Sequence, residues 1–276
     1  MAAVLEVKNL TYMYGKRKAL SGVTFIVAQG EIFGFLGPNG GGKTTLFKIL
    51  STFLRPSKNG EVQVSGFDLF REPHRVRGLL GVVFQAPSLD KKLKVEENLI
   101  HQGHLYGLQG SELKNRIEEV LKKVKLLDRK RDLVEKLSGG LQRRAEIAKA
   151  LLHKPLVLLL DEPTTGLDPA ARLDVWKILQ ELKTEGVTSL LTTHLIEEAE
   201  KCDRIGILHE GSLIALDTPQ ALKQGVGGDV LTVKTKKADV LKTFIEKEFG
   251  ESVVVSKATL EDVFIQKTGH KFEEAL

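Results

Sequence analysis

The chain has a single cysteine, Cys202, so no disulfide can close within it, which suits a reducing compartment. It has no long apolar run. Leu156 to Leu160 is as long as any unbroken stretch, and a membrane span needs roughly 20 apolar residues. The opening MAAVLEVKNL has no basic segment followed by an apolar one, so no export signal is expected. There is no arginine-rich tract with interleaved aromatics, so a nucleic-acid partner is not expected. Internal repeats and low-complexity segments are absent as well.

What is present is an ordinary globular composition. Over 276 residues, 42% hydrophobic and 28% charged, the chain can build one large domain or two modest ones. The net charge of +5 is spread among mixed acids and bases, which reads as a solvated surface. Attraction to phosphates, nucleic acid or lipid headgroups is the other reading.

Three β-rich segments come first: Val4 to Val7, Val23 to Val27 and Ile32 to Leu36, with turn signals at Gly15, Gly22 and Gly30. A strand over Gly81 to Phe84 leads into Gln85, and charged helical periodicity follows from about 90 to 136. A helix begins after Ser138-Gly139-Gly140 and ends before Pro155. The apolar run Leu156 to Leu160 is then a strand of the kind buried on both faces. Further elements are a helix over 169–184, a strand Thr188 to Thr192, a helix over about 195–201, strands flanking Glu210-Gly211, and a helix capped by Thr218-Pro219. Gly225 to Gly228 reads as a linker.

Gly37-Pro38-Asn39-Gly40-Gly41-Gly42-Lys43-Thr44-Thr45 fits the phosphate-binding loop, because it follows an apolar strand and opens a helix. Glycines let backbone N–H groups approach a polyphosphate, and the helix adds its positive end. Lys43 supplies a positive charge, and Thr44 a hydroxyl able to ligate Mg²⁺. Asp161 and Glu162 end the apolar strand, where ligands sit in parallel sheets. Asp161 can hold Mg²⁺ directly or through water, and Glu162 can polarise an attacking water.

With these residues in place, the sequence resembles the nucleotide-binding subunits of ABC transporters over nearly its whole length. Leu137-Ser138-Gly139-Gly140 resembles the family's signature motif and Gly166-Leu167-Asp168 its D-loop; Gln85 and His194 fall where its Q-loop glutamine and switch histidine fall. Tyr14, with Tyr12 as a neighbouring alternative, fits the aromatic that stacks on adenine. The resemblance implies an α/β fold: a P-loop NTPase core with a parallel sheet, an N-terminal antiparallel β subdomain and a helical insertion subdomain over about 86–136. Residues 1–225 would form the ATPase domain and 226–276 a small C-terminal α/β appendage.

It also implies a mechanism. ATP and Mg²⁺ are the expected ligands, with the loop residues Gly37 to Thr45 and Tyr14 on nucleotide, and Thr44, Gln85 and Asp161 on metal. Glu162, His194 and Gln85 would be catalytic. Two copies would sandwich ATP, so that Ser138, Gly139, Gly140 and Asp168 face the partner's nucleotide. Integral membrane permease subunits on a separate chain would be the partners, placing the protein at the cytoplasmic face of the membrane.

Two departures from the family pattern carry expectations. Leu141 stands where many members have glutamine, so polar contact would shift to Gln142. Gly41 makes three consecutive glycines, which predicts a looser loop. The segment Val83 to Asp90, the pair Arg143-Arg144 and the run Thr259 to Phe264 resemble the stand-alone ATPases of drug and polysaccharide exporters; Thr259 to Phe264 also reads as a capped terminal helix. The alternative is a non-transport ABC ATPase acting on nucleic acid or ribosomes, but one phosphate loop and no sustained heptads argue against it. Glu162 and His194 argue against a regulator that only binds nucleotide.

Overall fold

The computed structural model describes residues 2–56, 60–225, 230–232, 254–256 and 267. Strands β1 (Ala3–Tyr14) and β2 (Arg17–Ala28) form a long antiparallel hairpin. It exceeds the two short strands that alternation predicts, because irregular positions are bridged by side chains. The Asn9 N–H donates to Thr24 Oγ1 (2.9 Å), and the Gly22 N–H to Thr11 Oγ1 (3.0 Å). Gly22, expected as a turn, is an irregularity inside β2. With β4 (Glu61–Val64) and β5 (Phe67–Asp68) this hairpin makes a four-stranded sheet of order β2-β1-β4-β5.

The second sheet contains β3 (Ile32–Leu36), β6 (Leu80–Val83), β7 (Val157–Asp161), β8 (Thr188–Thr193), β9 (Arg204–His209) and β10 (Ser212–Asp217). Its order is β10-β9-β3-β8-β7-β6. All neighbours are parallel except β10, which returns antiparallel on β9. Alternation along each strand splits the core in two. Phe33, Phe35, Val157, Leu159 and Leu190 face the antiparallel sheet and helix α1 (Lys43–Leu50). Ile32, Leu36, Leu158, Leu160 and Leu191 face α5 (Gly139–Leu151) and α6 (Pro169–Thr184). This is the expected α/β architecture.

Between β6 and α5 lie α3 (Val95–Leu105) and α4 (Gly110–Lys123), within the expected helical insertion. Leu113, Ile117, Val120 and Leu121 form one buried stripe of α4. Short helices α2 (Pro73–Leu79), α7 (Ile196–Ala199) and α8 (Pro219–Gly225) complete the described α-helices. Strands β11 (Val230–Thr232) and β12 (Val254–Ser256) pair antiparallel. The run Thr259 to Phe264 and most of the expected appendage lie outside the described residues.

Candidate functional site

Parallel pairing of β3, β6, β7 and β8 brings the ends of four strands to one edge of the sheet. Each end carries a residue singled out in the sequence: Gly37 after β3, Gln85 after β6, Asp161 and Glu162 at β7, and His194 after β8.

The loop after β3 is set by close packing. A Cβ at Gly37 would lie 2.2 Å from the Leu208 carbonyl oxygen, so no side chain fits there. Gly42, at φ +106°, is the N-cap of α1 in a conformation that favours glycine. The expectation that Gly41 loosens the loop is not met. Its carbonyl accepts from the Gly211 N–H (3.0 Å), and a Cβ there would sit 3.0 Å from the Leu208 oxygen. The loop is pinned to the β9–β10 turn.

Lys43 is only 4% exposed. Its ammonium donates to the carbonyls of Gly37 (2.6 Å) and Pro38 (3.0 Å) and lies 3.8 Å from Glu162 Oε1. Burial pulls its pKa below the ordinary lysine range, and the charges of Glu162 and Asp161 oppose that. Glu162 has φ +47°, a left-handed conformation uncommon for a residue with a side chain and costing about 1–3 kcal/mol. Its N–H donates to Thr192 Oγ1 (3.1 Å), which helps hold it. Around its carboxylate, Gln85 Nε2 donates to Oε2 (3.2 Å) and Thr165 Oγ1 to the same oxygen (3.2 Å). His194 Nδ1 lies 3.2 Å from that oxygen too.

Asp161 is buried and accepts from Thr192 Oγ1 (2.5 Å). Burial raises its pKa; the Thr192 bond opposes the rise, and the Glu162 charge adds to it. Lys43 and Lys48 lend it positive charge, and its carboxylate is a hard oxygen donor of the kind Mg²⁺ takes. The Thr44 hydroxyl and the Gln85 amide oxygen would add donors of the same hard type.

The hairpin tip closes the phosphate loop from the other side. Tyr14, Arg17 and Ala19 line one pocket with Pro38, Asn39, Gly40 and Gly42 to Thr45. Tyr14 is exposed there, whereas Tyr12 packs on the core between the sheets. Arg17 carried no signal in the sequence, because only the tertiary approach of hairpin to loop brings it in.

Ser138, Gly139, Gly140 and Asp168 are not in that pocket. Ser138 is the exposed N-cap of α5, accepting from the Leu141 N–H, and Asp168 caps α6 through the Ala171 N–H (2.9 Å). The two helix starts touch closely: a Cβ on Gly140 would lie 2.5 Å from Ala171 Cβ. The sites thus fall into two groups on one chain. Gln142, to which polar contact is expected to shift, donates its amide to the Val134 (3.1 Å) and Leu137 (2.9 Å) carbonyls of its own chain.

One buried carboxylate escaped the sequence reading. Glu198 accepts from Thr193 Oγ1 (2.7 Å) and from Thr164 Oγ1, fastening the segment before His194 to the segment after Glu162. An acid a few residues past a strand carries no motif on its own.

Phosphate loop, acidic strand end and parallel sheet define a P-loop nucleoside triphosphatase. Residues 20–165 match the family described as ABC transporter, and the chain belongs to it. It is similar to the linearmycin resistance ATP-binding protein LnrL of Bacillus subtilis (39% identity, 83% of this chain and 73% of that one). It is also similar to the daunorubicin resistance ATP-binding protein DrrA3 of Streptomyces coeruleorubidus (44%, 83% and 72%). Among solved structures, it resembles the dimeric post-hydrolysis state of the ATP-binding cassette MJ0796 bound to ADP and Pi. That match has a TM-score of 0.69 at 30% identity and covers 78% of this chain and 98% of that one. The chain is an ATPase of the ABC class.

Proposed function

We propose that this chain binds and hydrolyses ATP to drive export through membrane subunits carried on a separate chain. The observation that carries the reading is the cluster at Glu162, where Lys43, Gln85 and His194 converge on one carboxylate. Names of the relatives, both resistance ATP-binding proteins, support export over import.

The residues act as follows. Backbone N–H groups of the loop from Asn39 to Thr45, with Lys43, bind the phosphates of ATP, and Tyr14 stacks on adenine. Thr44, Asp161 and Gln85 hold Mg²⁺, which when bound screens the phosphate charge. Glu162 draws the proton from water, and His194 orients that carboxylate. The strained Glu162 backbone fixes its aim before substrate arrives.

Ser138, Gly139, Gly140 and Asp168 face the nucleotide of a second copy. The exposure of Ser138, Gly139 and Asp168 on the joined starts of α5 and α6, away from the chain's own phosphate pocket, supports this dimer. Next to Gln85 in the chain, Phe84 lines a surface pocket together with Tyr106, and both rings are exposed, which suits contact with a membrane subunit. Among the described residues no helix is long and apolar enough to cross a membrane. The chain then sits peripherally at the cytoplasmic face of the membrane.

Glu162→Gln tests the reading. The variant should keep MgATP affinity, lose phosphate release by about a hundredfold or more, and accumulate as a dimer. Full turnover in it refutes the general-base role. Recovery of the full-length protein from membranes without any integral membrane protein counts against the transport role.

A further inference from the structure

We propose that Arg143 is a positioning residue that couples the two ATP sites of the dimer, by tying the helix that starts at Ser138 to the loop that carries Gln85. The proposal rests on the sandwich dimer described above.

Arg143 is buried in α5, a little over one turn past Ser138. Its Nη1 donates to the Phe84 carbonyl (2.7 Å) and to Glu146 Oε2 (2.8 Å), and its Nη2 to the Gln85 carbonyl (3.1 Å). Glu146, also buried, accepts the Ser88 N–H through Oε1 (2.7 Å). Lys149 Nζ donates to the Ser88 carbonyl (2.8 Å). Arg143, Glu146 and Lys149 stand three residues apart, so one helix face grips the backbone from Phe84 to Ser88. None of the three lies in the phosphate pocket.

This grip reaches both nucleotide sites. At its far end, Gln85 Nε2 meets Glu162 Oε2 at 3.2 Å. At its near end, Ser138 and Gly139 are exposed, on the face that the dimer reading gives to the second copy. A helix is stiff, so a displacement of α5 when Ser138 engages the partner's phosphate moves the carbonyls that Arg143 holds. The guanidinium fork fixes two successive carbonyls at once, which a lysine ammonium does with far less directional constraint. A buried ion pair is weak evidence of stabilisation, since apolar pairs commonly replace it without loss. The geometry therefore points to register between helix and loop, with the position of α5 as the coordinate that both sites would bias.

The test uses the full-length protein and MgATP. Two variants are made: Arg143→Lys, and the double substitution R143M/E146L, which keeps the buried volume and should remain folded. Wild type should hydrolyse ATP with a Hill coefficient between one and two, the limit for two sites. Both variants should bring it close to one. In the Glu162→Gln background they should weaken MgATP-driven dimerisation about fivefold or more. MgATP affinity at limiting protein concentration, where the chain is monomeric, should stay within about twofold. An unchanged Hill coefficient in the folded double variant overturns the coupling, as does a coefficient of one in a wild type that still dimerises. If Glu162→Gln with Arg143 intact stays monomeric at saturating MgATP, it is the dimer reading that fails.

Discussion

Oε1 of Glu162 lies 3.8 Å from Nζ of Lys43, with both side chains nearly sealed from water. Neither group is fully matched by the other. The ammonium also leans on two carbonyls, and the carboxylate has Asp161 beside it in sequence and in charge. Phosphates delivered to the loop would give that ammonium the anionic partner its place in the loop suits.

Removing the ammonium should therefore be felt in binding first. For Lys43→Ala we expect MgATP affinity by calorimetry to fall roughly ten- to hundredfold, the worth of a hydrogen bond to a charged group. Unchanged affinity would contradict its role.

Asp161 provides a pH signature. Its folded pKa is raised chiefly by burial, so the folded state holds its proton more tightly than the unfolded chain. Between the ordinary carboxylate pKa and the raised one, the folded state binds more protons, and stability falls as pH rises. Asp161→Asn removes that penalty. Without nucleotide, its thermal midpoint should exceed that of wild type at pH 8, with the gap narrowing toward pH 4. Its Mg²⁺-dependent hydrolysis should nonetheless collapse. A gap that is constant with pH would show that ionised Asp161 is not destabilising.

Tyr14 and Tyr12 are separable by their surroundings. Tyr14 is exposed beside the phosphate loop, whereas Tyr12 packs on the core. Aromatic stacking on a base is worth about 1–3 kcal/mol. Tyr14→Ala should weaken ATP binding accordingly with little change in melting temperature, and Tyr12→Ala should do the reverse. Equal effects on affinity would remove the distinction.

Ser138 caps α5 at the surface, where a large cation would collide with anything docking there. Ser138→Arg in the Glu162→Gln background should abolish MgATP-driven dimerisation, read by light scattering, while MgATP binding persists. Undiminished dimerisation would place the contact elsewhere.

Much of this site is visible in the residue order, and the reason is local. A phosphate loop is read from a strand, a glycine turn and a helix, all contiguous, and Gly37 to Thr45 stands as expected. The helix over 169–184 falls where Pro169 and the apolar period put it. What escaped depends on distant approach. The β1–β2 hairpin runs through Lys8, Asn9 and Lys16 to Lys18, polar positions with no alternation, because Thr11 and Thr24 hydroxyls hold its irregular register. Gly41 reads as slack in one dimension and is closely packed in three, because the carbonyl that restricts it belongs to Leu208. Gln142 holds the turn before its own helix, a contact with nothing in the residue order to announce it.

By itself the sequence determined the ligand class, since glycine spacing, one lysine and a pair of acids specify phosphate chemistry through backbone freedom and charge alone. Only the tertiary structure decided which groups meet. It set Glu162 against Lys43 and His194, brought Arg17 to the loop, and fastened Arg143 to the carbonyls of Phe84 and Gln85. Those contacts join segments far apart in the chain, and they come together through strand order in the parallel sheet and the packing of hairpin and helix against it, which no local pattern encodes.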